Sequence, residues 1–145
     1  MPELRYAKGR IAESLKFISE EMREFQDEYA QKTWQEYQQD KKLQKLIDRT
    51  VENILTALIE VCGAVLTEEG ISSESYGAAL RQCAGLFGFS TEDQENLASL
   101  AMQRNRLAHR YLNFKWQAIK MFKDHDQLVL KLLTRIFERE EKRTQ

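Results

Sequence analysis

The stretch 43-LQKLIDRTVENILTALIEVCGAVL-66 decides the fold of this chain. Its apolar residues recur at spacings of three and four, so they share one broad face of a long helix. They are Leu43, Leu46, Ile47, Val51, Ile54, Leu55, Leu58, Ile59, Cys62, Val65 and Leu66. Gly70 follows, as glycine commonly does where a helix ends. A face this broad needs neighbours on more than one side, which predicts a helix at the centre of the fold.

A second apolar stripe precedes this helix and predicts a long first helix. Its members alternate between spacings of four and three: Ile11, Leu15, Ile18, Met22, Phe25 and Tyr29. The stripe offers more apolar surface than one small domain needs, which favours a dimer. The polar segment 31-QKTWQEYQQDKK-42 leaves two readings open, because the helix could run through it or pause near Asp40. Trp34 and Tyr37 would then be edge-packing or interface residues.

The remainder of the chain is also helical in pattern. We predict a short helix from about Ser75 to Leu86, a helix capped by Ser90 or Thr91, a helical stretch kinked near 123-KDHD-126, and a final helix with a frayed charged end. The expected fold class is all-α: an antiparallel four-helix bundle with an extra short helix. Residues 1–145 should form a single helical domain, of a size that buries one core.

Composition narrows the function classes. The 22 basic and 23 acidic residues give a net charge of -1, so nothing global draws the protein to nucleic acid. No apolar run is expected to span a membrane, and the N-terminus lacks the apolar core of a signal peptide, so we expect a cytoplasmic protein without a membrane partner. Cys62 and Cys83 have no metal-type spacing and should be reduced packing residues.

One unusual stretch, 104-RNRLAHRYLNF-114, gathers three arginines and a histidine at the end of a predicted helix. On an ideal helix of about 100° per residue, Arg104 and His109 would diverge by about 140°. Either the helix loosens before His109, or a second copy of the chain completes a site, because a symmetric dimer duplicates every interface residue.

These residue types suit phosphodiester chemistry. A histidine, with an ordinary pKa of about 6.5, can exchange a proton with a ribose 2′-hydroxyl or a leaving oxygen. An arginine can bind two phosphate oxygens and stabilise developing charge. Asn105 could orient the imidazole or a substrate oxygen. No ligand pattern for a metal accompanies His109, and we expect no metal and no cofactor.

The residues alone leave a plainer reading open, because arginines at a helix C-terminus favourably meet the helix dipole and a single histidine is often structural. His125 is read as an ordinary polar residue. If the site handles RNA, Arg106, Arg110 and Lys115 would supply local positive charge for the backbone phosphates. The same residues could equally be ordinary surface charge.

The motif resembles one known family. Arg104 and Asn105, then His109, Arg110 and Tyr111, reproduce the pattern of the HepT-like branch of the HEPN superfamily. The helix order from "DRTVENILTALIEVCGAVLTEEGI" to "QRNRLAHRYL" also looks like that branch, over about residues 45 to 122. Gln103 stands where many relatives have a large apolar residue.

The resemblance implies an all-helical homodimer that acts as a metal-independent endoribonuclease toxin. Arg104 and His109 would be catalytic and Asn105 supportive. The implied antitoxin is a minimal nucleotidyltransferase of the MntA type, which would attach AMP to Tyr111. The added bulk and negative charge would block a site built for phosphate.

Two other hypotheses remain beside the toxin. The chain could be a non-catalytic helical subunit that presents a substrate to a nucleotidyltransferase, or a structural helical dimer. The combination of Arg104, His109 and Tyr111 favours the ribonuclease, because docking alone does not need those three residues together.

Overall fold

The computed structural model describes the backbone of residues 2–143 and the side chains of residues 10–143. The helices are Pro2–Glu24 (α1), Trp34–Gln39 (α2), Lys41–Glu68 (α3), Tyr76–Leu86 (α4), Thr91–Leu107 (α5), Leu112–Asp124 (α6) and Asp126–Arg143 (α7), with a π-helical turn at Phe25–Tyr29. Residues 2–143 contain no strand, which confirms the all-α class. Residues 1, 144 and 145 of the predicted single domain lie outside the described residues.

The described part of the chain divides into more helices than predicted. The polar segment forms a helix of its own, α2, and the chain breaks at His125 between α6 and α7. The break at His125 lies within residues 123–126, where the kink was predicted. The charged end of the chain was expected to fray, but α7 continues to Arg143, and residues 144 and 145 lie outside the described residues.

Helix α3 lies at the centre of the core, as its broad apolar face predicted. It packs against α1, α2, α4, α5 and α6. Eleven residues along its length are buried, including Ile47, Ile54 and Val65. By length and composition this helix could cross a membrane, but more than half of its most apolar window is buried inside the protein.

The apolar stripe of α1 faces the same core. Ile18 has no exposed surface, and neither has Phe25, whose ring meets Phe122 edge-on with centroids 5.0 Å apart. The stripe is therefore covered by the chain's own helices, and the argument from it to a dimer was wrong.

Segment 31–42 pauses and restarts as a capped helix. The Thr33 hydroxyl accepts a hydrogen bond from the Glu36 backbone N–H, and the Glu36 carboxylate accepts one from the Thr33 N–H. This reciprocal capping box begins α2. Asp40 ends α2, and its carboxylate caps α3 by accepting a hydrogen bond from the Leu43 N–H.

The aromatic residues of α2 pack within the chain. Tyr37 is fully buried, and its hydroxyl donates to the Asp48 carboxylate at 2.6 Å. The Tyr37 ring centroid lies 5.1 Å from that of Trp116, and the Trp34 ring centroid lies 6.0 Å from it. These contacts tie α2 and α3 to α6, the helix that follows the motif.

The remaining connections match their sequence signals. Ser90, and not Thr91, caps α5 by accepting a hydrogen bond from the Asp93 N–H. Gly70 closes α3 with a φ of 72°, a conformation that favours glycine. Cys62 and Cys83 are free and fully buried in the core, where packing residues were expected.

The end of α7 is held to the end of α3 by ion pairs. The Arg139 guanidinium contacts Glu68 at 3.2 Å and Glu69 at 2.9 Å, and Arg143 also pairs with Glu68. These pairs explain why the charged C-terminal turn stays helical.

Candidate active site at the end of α5

Helix α5 ends at Leu107, before it reaches His109. The backbone N–H of His109 donates to the carbonyl of Arg106 at 3.1 Å, a bond of turn type. Of the two arrangements that the sequence left open, the chain itself shows the first: the helix ends and His109 lies in an exposed turn. The turn, and not the helical repeat, sets the position of the imidazole.

The imidazole of His109 sits against two aromatic rings. The Tyr111 ring lies 4.9 Å away at 33°, and the Phe114 ring meets it edge-on at 4.8 Å. The backbone N–H of Tyr111 donates to His109 Nδ1 at 3.3 Å. A nitrogen that accepts this bond carries no proton, so the neutral ring holds its proton on Nε2. Nδ1 is therefore the basic nitrogen of the neutral ring.

Tyr111 occupies the N-cap position of α6, where the turn ends. Its side chain is 51% exposed, and the guanidinium of Arg110 lies 5.4 Å from its ring centroid. No hydrogen bond reaches the Tyr111 hydroxyl from any residue whose side chain is described. The hydroxyl therefore has no hydrogen-bond partner among the described residues and faces solvent.

Arg104 lies in the last turn of α5 and is half-buried. Its guanidinium lies 5.5 Å from the Tyr76 ring centroid. Within residues 10–143, the Arg104 guanidinium has no hydrogen bond and no ion pair. A cation without an acidic partner is free to bind a phosphate.

Arg104 also lines an open groove of about 860 Å³ between α1, α3, α5 and α6. Phe17 from α1 and the charged side chains of several helices line the same groove, the charged ones being Glu13, Lys45, Asp48, Arg49, Glu52, Glu60 and Lys115. The groove therefore mixes both signs of charge.

Not every predicted site residue is brought to one place. Arg104 and His109 share no hydrogen bond, ion pair or ring contact in the described part of the chain. Asn105 is exposed and lines a separate groove beside Tyr76, and its side chain makes no hydrogen bond to His109 in this structure. The turn gathers His109, Tyr111 and Phe114, while Arg104 points toward α4.

The three cations expected to meet an RNA backbone have different surroundings. Arg110 is exposed, whereas Arg106 donates a hydrogen bond to the Gln103 side chain at 3.3 Å. Lys115 pairs with the partly buried Asp48 at 3.3 Å, so much of its charge is compensated. Gln103 is buried, which is unusual for a glutamine. Its side-chain amide donates a hydrogen bond to the Ser99 carbonyl.

Sequence reasoning missed Asp48, the partly buried carboxylate that anchors α6 through Lys115. Burial raises the pKa of Asp48 above its ordinary value, while the Tyr37 hydroxyl and the Lys115 ammonium act in the opposite direction. In the sequence, Asp48 looks like any other polar residue of a helix. Its hydrogen bond with Tyr37 is seen only in the folded structure. Tyr76 was also missed, because only the fold brings it into contact with Arg104 of the motif.

Metal ligands are not grouped in the described residues: no set of three or more His, Cys, Asp or Glu side chains among them could hold an ion. The site instead offers an imidazole, a guanidinium and open aromatic rings, a set suited to a phosphodiester and its bases.

The comparisons with known proteins bear on this set of residues. The family model described as "Ribonuclease HepT-like" matches residues 18–133, which include the whole motif from Arg104 to Tyr111 and run from α1 into α7. No curated protein matches the chain. Because the family model spans well over half of its length, the chain belongs to the HepT-like ribonuclease family.

Proposed function

We propose that the protein is a metal-independent endoribonuclease and the toxin of a two-gene toxin-antitoxin pair. The observation that carries the proposal is the exposed imidazole of His109, placed by a turn just beyond an arginine that has no acidic partner among residues 10–143. Membership of a ribonuclease family supports RNA as the substrate.

The chemistry follows from these two side chains. His109 accepts the proton of a ribose 2′-hydroxyl, and the 2′-oxygen attacks the adjacent phosphorus. The bond from phosphorus to the 5′-oxygen breaks, and the leaving oxygen takes a proton from an imidazolium or from water. The products are a 2′,3′-cyclic phosphate and a 5′-hydroxyl. Arg104 binds the phosphate and stabilises the charge that develops on its oxygens.

The hydrogen bond to His109 gives this step a structural consequence. The neutral ring accepts its proton at Nδ1, where the Tyr111 N–H now donates. A proton on Nδ1 would turn this acceptor into a donor, so the bond from the Tyr111 N–H would have to break in that step. At 3.3 Å the bond is longer than a usual hydrogen bond and is easily exchanged.

We further propose that the working form is a homodimer. Within one chain Arg104 and His109 do not meet, whereas an isologous pair would bring two copies of each to one cleft. The exposed Phe17 lines the same groove as Arg104 and gives a second copy an apolar contact. The dimer would act in the cytoplasm, where its RNA substrate is found.

The proposed antitoxin is a minimal nucleotidyltransferase of the MntA type that transfers AMP to Tyr111. The open hydroxyl of Tyr111 and its ring contact with His109 support this assignment. A nucleotide on that hydroxyl would place a negative phosphate beside the imidazole and repel RNA.

The test compares purified wild-type protein with His109→Ala on total cellular RNA in the presence of EDTA. The intact mass is checked first, so that only unmodified protein is assayed. His125→Ala is the matched control, since it removes the chain's other histidine from the end of α6. We expect wild type and His125→Ala to cut RNA and leave 2′,3′-cyclic phosphate ends, and His109→Ala to be inactive and harmless to growth.

Cleavage by His109→Ala at the wild-type rate would refute the assigned mechanism. Absence of cleavage by unmodified dimeric wild type would favour a binding subunit instead. Because His109 is exposed, His109→Ala should unfold at the same denaturant concentration as wild type, which separates catalytic loss from misfolding.

A further inference from the structure

Tyr76 is a large aromatic residue that the fold leaves open to solvent. It is the first residue of α4, and 62% of its surface is exposed. Ser75 caps α4 by accepting a hydrogen bond from the Ala78 N–H at 3.1 Å, which fixes where the helix begins. The exposed position of Tyr76 is thus defined by a capped helix and is not that of a loose loop.

The Tyr76 ring also holds the arginine of the motif. The Arg104 guanidinium lies 5.5 Å from the ring centroid, within the range of a cation-π contact. In the part of the chain whose side chains are described, this is the single polar or ring interaction of the Arg104 guanidinium. A long, flexible side chain is therefore oriented mainly by one ring.

Tyr76 lines two grooves that adjoin the site. One, of about 600 Å³, is lined by apolar residues such as Ile59 and also by the carboxylates Glu60 and Glu74, and the other, of about 470 Å³, is lined in part by Asn105. Glu60 lines the first of these and also the groove of the motif arginine. Grooves therefore flank Tyr76, and one of them shares Glu60 with the groove that Arg104 lines.

We infer that Tyr76 is a positioning and specificity residue: its ring orients Arg104 and stacks on an unpaired base next to the phosphate that Arg104 binds. The inference rests on the proposed ribonuclease function. A phosphate and the base of the same nucleotide are separated by one sugar, so a cation and a ring in contact can hold both. Stacking on aromatic and arginine surfaces is the usual way in which proteins bind single-stranded RNA.

The pairing with Arg104 favours a nucleotide over a protein partner. An apolar protein surface would cover a ring without needing a cation on it, whereas a nucleotide uses the ring for its base and the cation for its phosphate. The ligand class is accordingly single-stranded RNA, since the bases of a duplex are already stacked on one another.

The test measures RNA binding without cleavage. Full-length His109→Gln protein is titrated into a short single-stranded RNA that carries 2-aminopurine, whose fluorescence falls when the base stacks. Tyr76→Ala and Tyr76→Phe are added in the same background. The matched control is Phe137→Ala, which removes an aromatic ring that is 53% exposed on α7, away from the motif.

The expected result has three parts. Tyr76→Ala weakens binding by about 5- to 150-fold, the effect of losing one stacked base, and abolishes the fluorescence quenching. Tyr76→Phe restores both signals because it keeps the ring. Phe137→Ala binds as its parent does, and every variant has the parent's molar mass in solution.

Other results overturn the inference. Equal binding and quenching by Tyr76→Ala would show that no base stacks on the ring. A change of molar mass in Tyr76→Ala would instead assign Tyr76 to an interface between copies. If the parent bound no RNA, the inference and the proposed function would both fail. Quenching that depends on Tyr76 in the His109→Gln background, together with unmodified wild-type protein that does not cleave RNA, would uphold the inference and reject only the nuclease.

Discussion

The ring of Tyr111 lies 4.9 Å from the imidazole of His109, while the backbone N–H of the same tyrosine donates to Nδ1 of that imidazole. The two contacts come from different parts of the residue. The side-chain hydroxyl can therefore be modified or removed without loss of the backbone bond. A group added to the hydroxyl would nevertheless stand beside the imidazole of His109.

This separation predicts the behaviour of Tyr111→Phe. The variant keeps the ring contact and the backbone bond, so it should cleave RNA within a few-fold of the wild-type rate while gaining no AMP from the antitoxin and ATP. Tyr76→Phe, which alters another exposed tyrosine, should still gain AMP, as intact mass would show. An AMP adduct on Tyr111→Phe would reject Tyr111 as the acceptor.

The buried hydroxyl of Tyr37 should contribute measurably to stability. Tyr37→Phe leaves the Asp48 carboxylate without its 2.6 Å donor and should lower the free energy of unfolding by about 1–3 kcal/mol. Tyr29→Phe, which removes an exposed 3.4 Å bond to Glu24, should cost less than about 0.5 kcal/mol. Urea denaturation of both variants would measure the difference, and equal losses would contradict the role given to Tyr37.

The pKa of Asp48 predicts a pH dependence with a definite sign. Burial raises this pKa above 3.8, so the folded protein binds the proton more tightly than the unfolded chain. The stability contributed by Asp48 is therefore present at low pH and is lost as the pH rises through the raised pKa. The free energy of unfolding of wild type minus that of Asp48→Asn should decrease from about pH 4 to about pH 7.

A second variant checks the cause of that trend. Lys115 lowers the pKa of Asp48, so in a Lys115→Gln background the same difference should fall more steeply with pH. A difference that increased with pH would mean that the pKa of Asp48 is lowered by folding, and that Lys115 and Tyr37 outweigh burial.

The ion pairs between α7 and α3 should be worth more than those on the surface. Arg139, 14% exposed, contacts Glu68 and Glu69, and one Glu68 oxygen is buried without a hydrogen-bond partner. Arg139→Met would leave Glu68 with Arg143 as its remaining partner and Glu69 without an ion pair among the described residues, and should cost about 1–3 kcal/mol. Arg135→Met, at a site 46% exposed, should cost less than about 1 kcal/mol by thermal or urea unfolding. Similar losses in the two variants would argue against a special role for Arg139.

The apolar periodicity was sufficient to predict the main helices, because burial of one face determines both their spacing and their extent. The cap at Ser90 and the end of α3 before Gly70 follow from local backbone chemistry in the same way. Apolar periodicity did not predict helix α2. Its stability depends on a capping box and on the burial of Tyr37 against Asp48, a contact made across the fold.

The candidate site was predictable in composition and only partly in geometry. The spacing of Arg104 and His109 showed that one regular helix could not join them, and α5 does end before His109. The sequence did not predict two contacts of the site: the ion pair of Lys115 with Asp48, and the cation-π contact of Arg104 with Tyr76. Both contacts join residues that are distant in sequence, so a single sequence cannot reveal them before the fold is known.

The π-helical turn at Phe25–Tyr29 has a consequence for how this chain tolerates changes of length. Such a turn accommodates one residue more than the α-helical path requires, and here the Ala30 N–H reaches back to the Phe25 carbonyl at 2.8 Å. Deletion of the exposed Asp27 would let the turn close as α-helix without rotating the chain that follows. Elsewhere in α1 or α3, loss of one residue would turn the buried face by about 100°. The turn is thus the place within the first two long helices where evolution could shorten the chain and keep both the core and the motif in register.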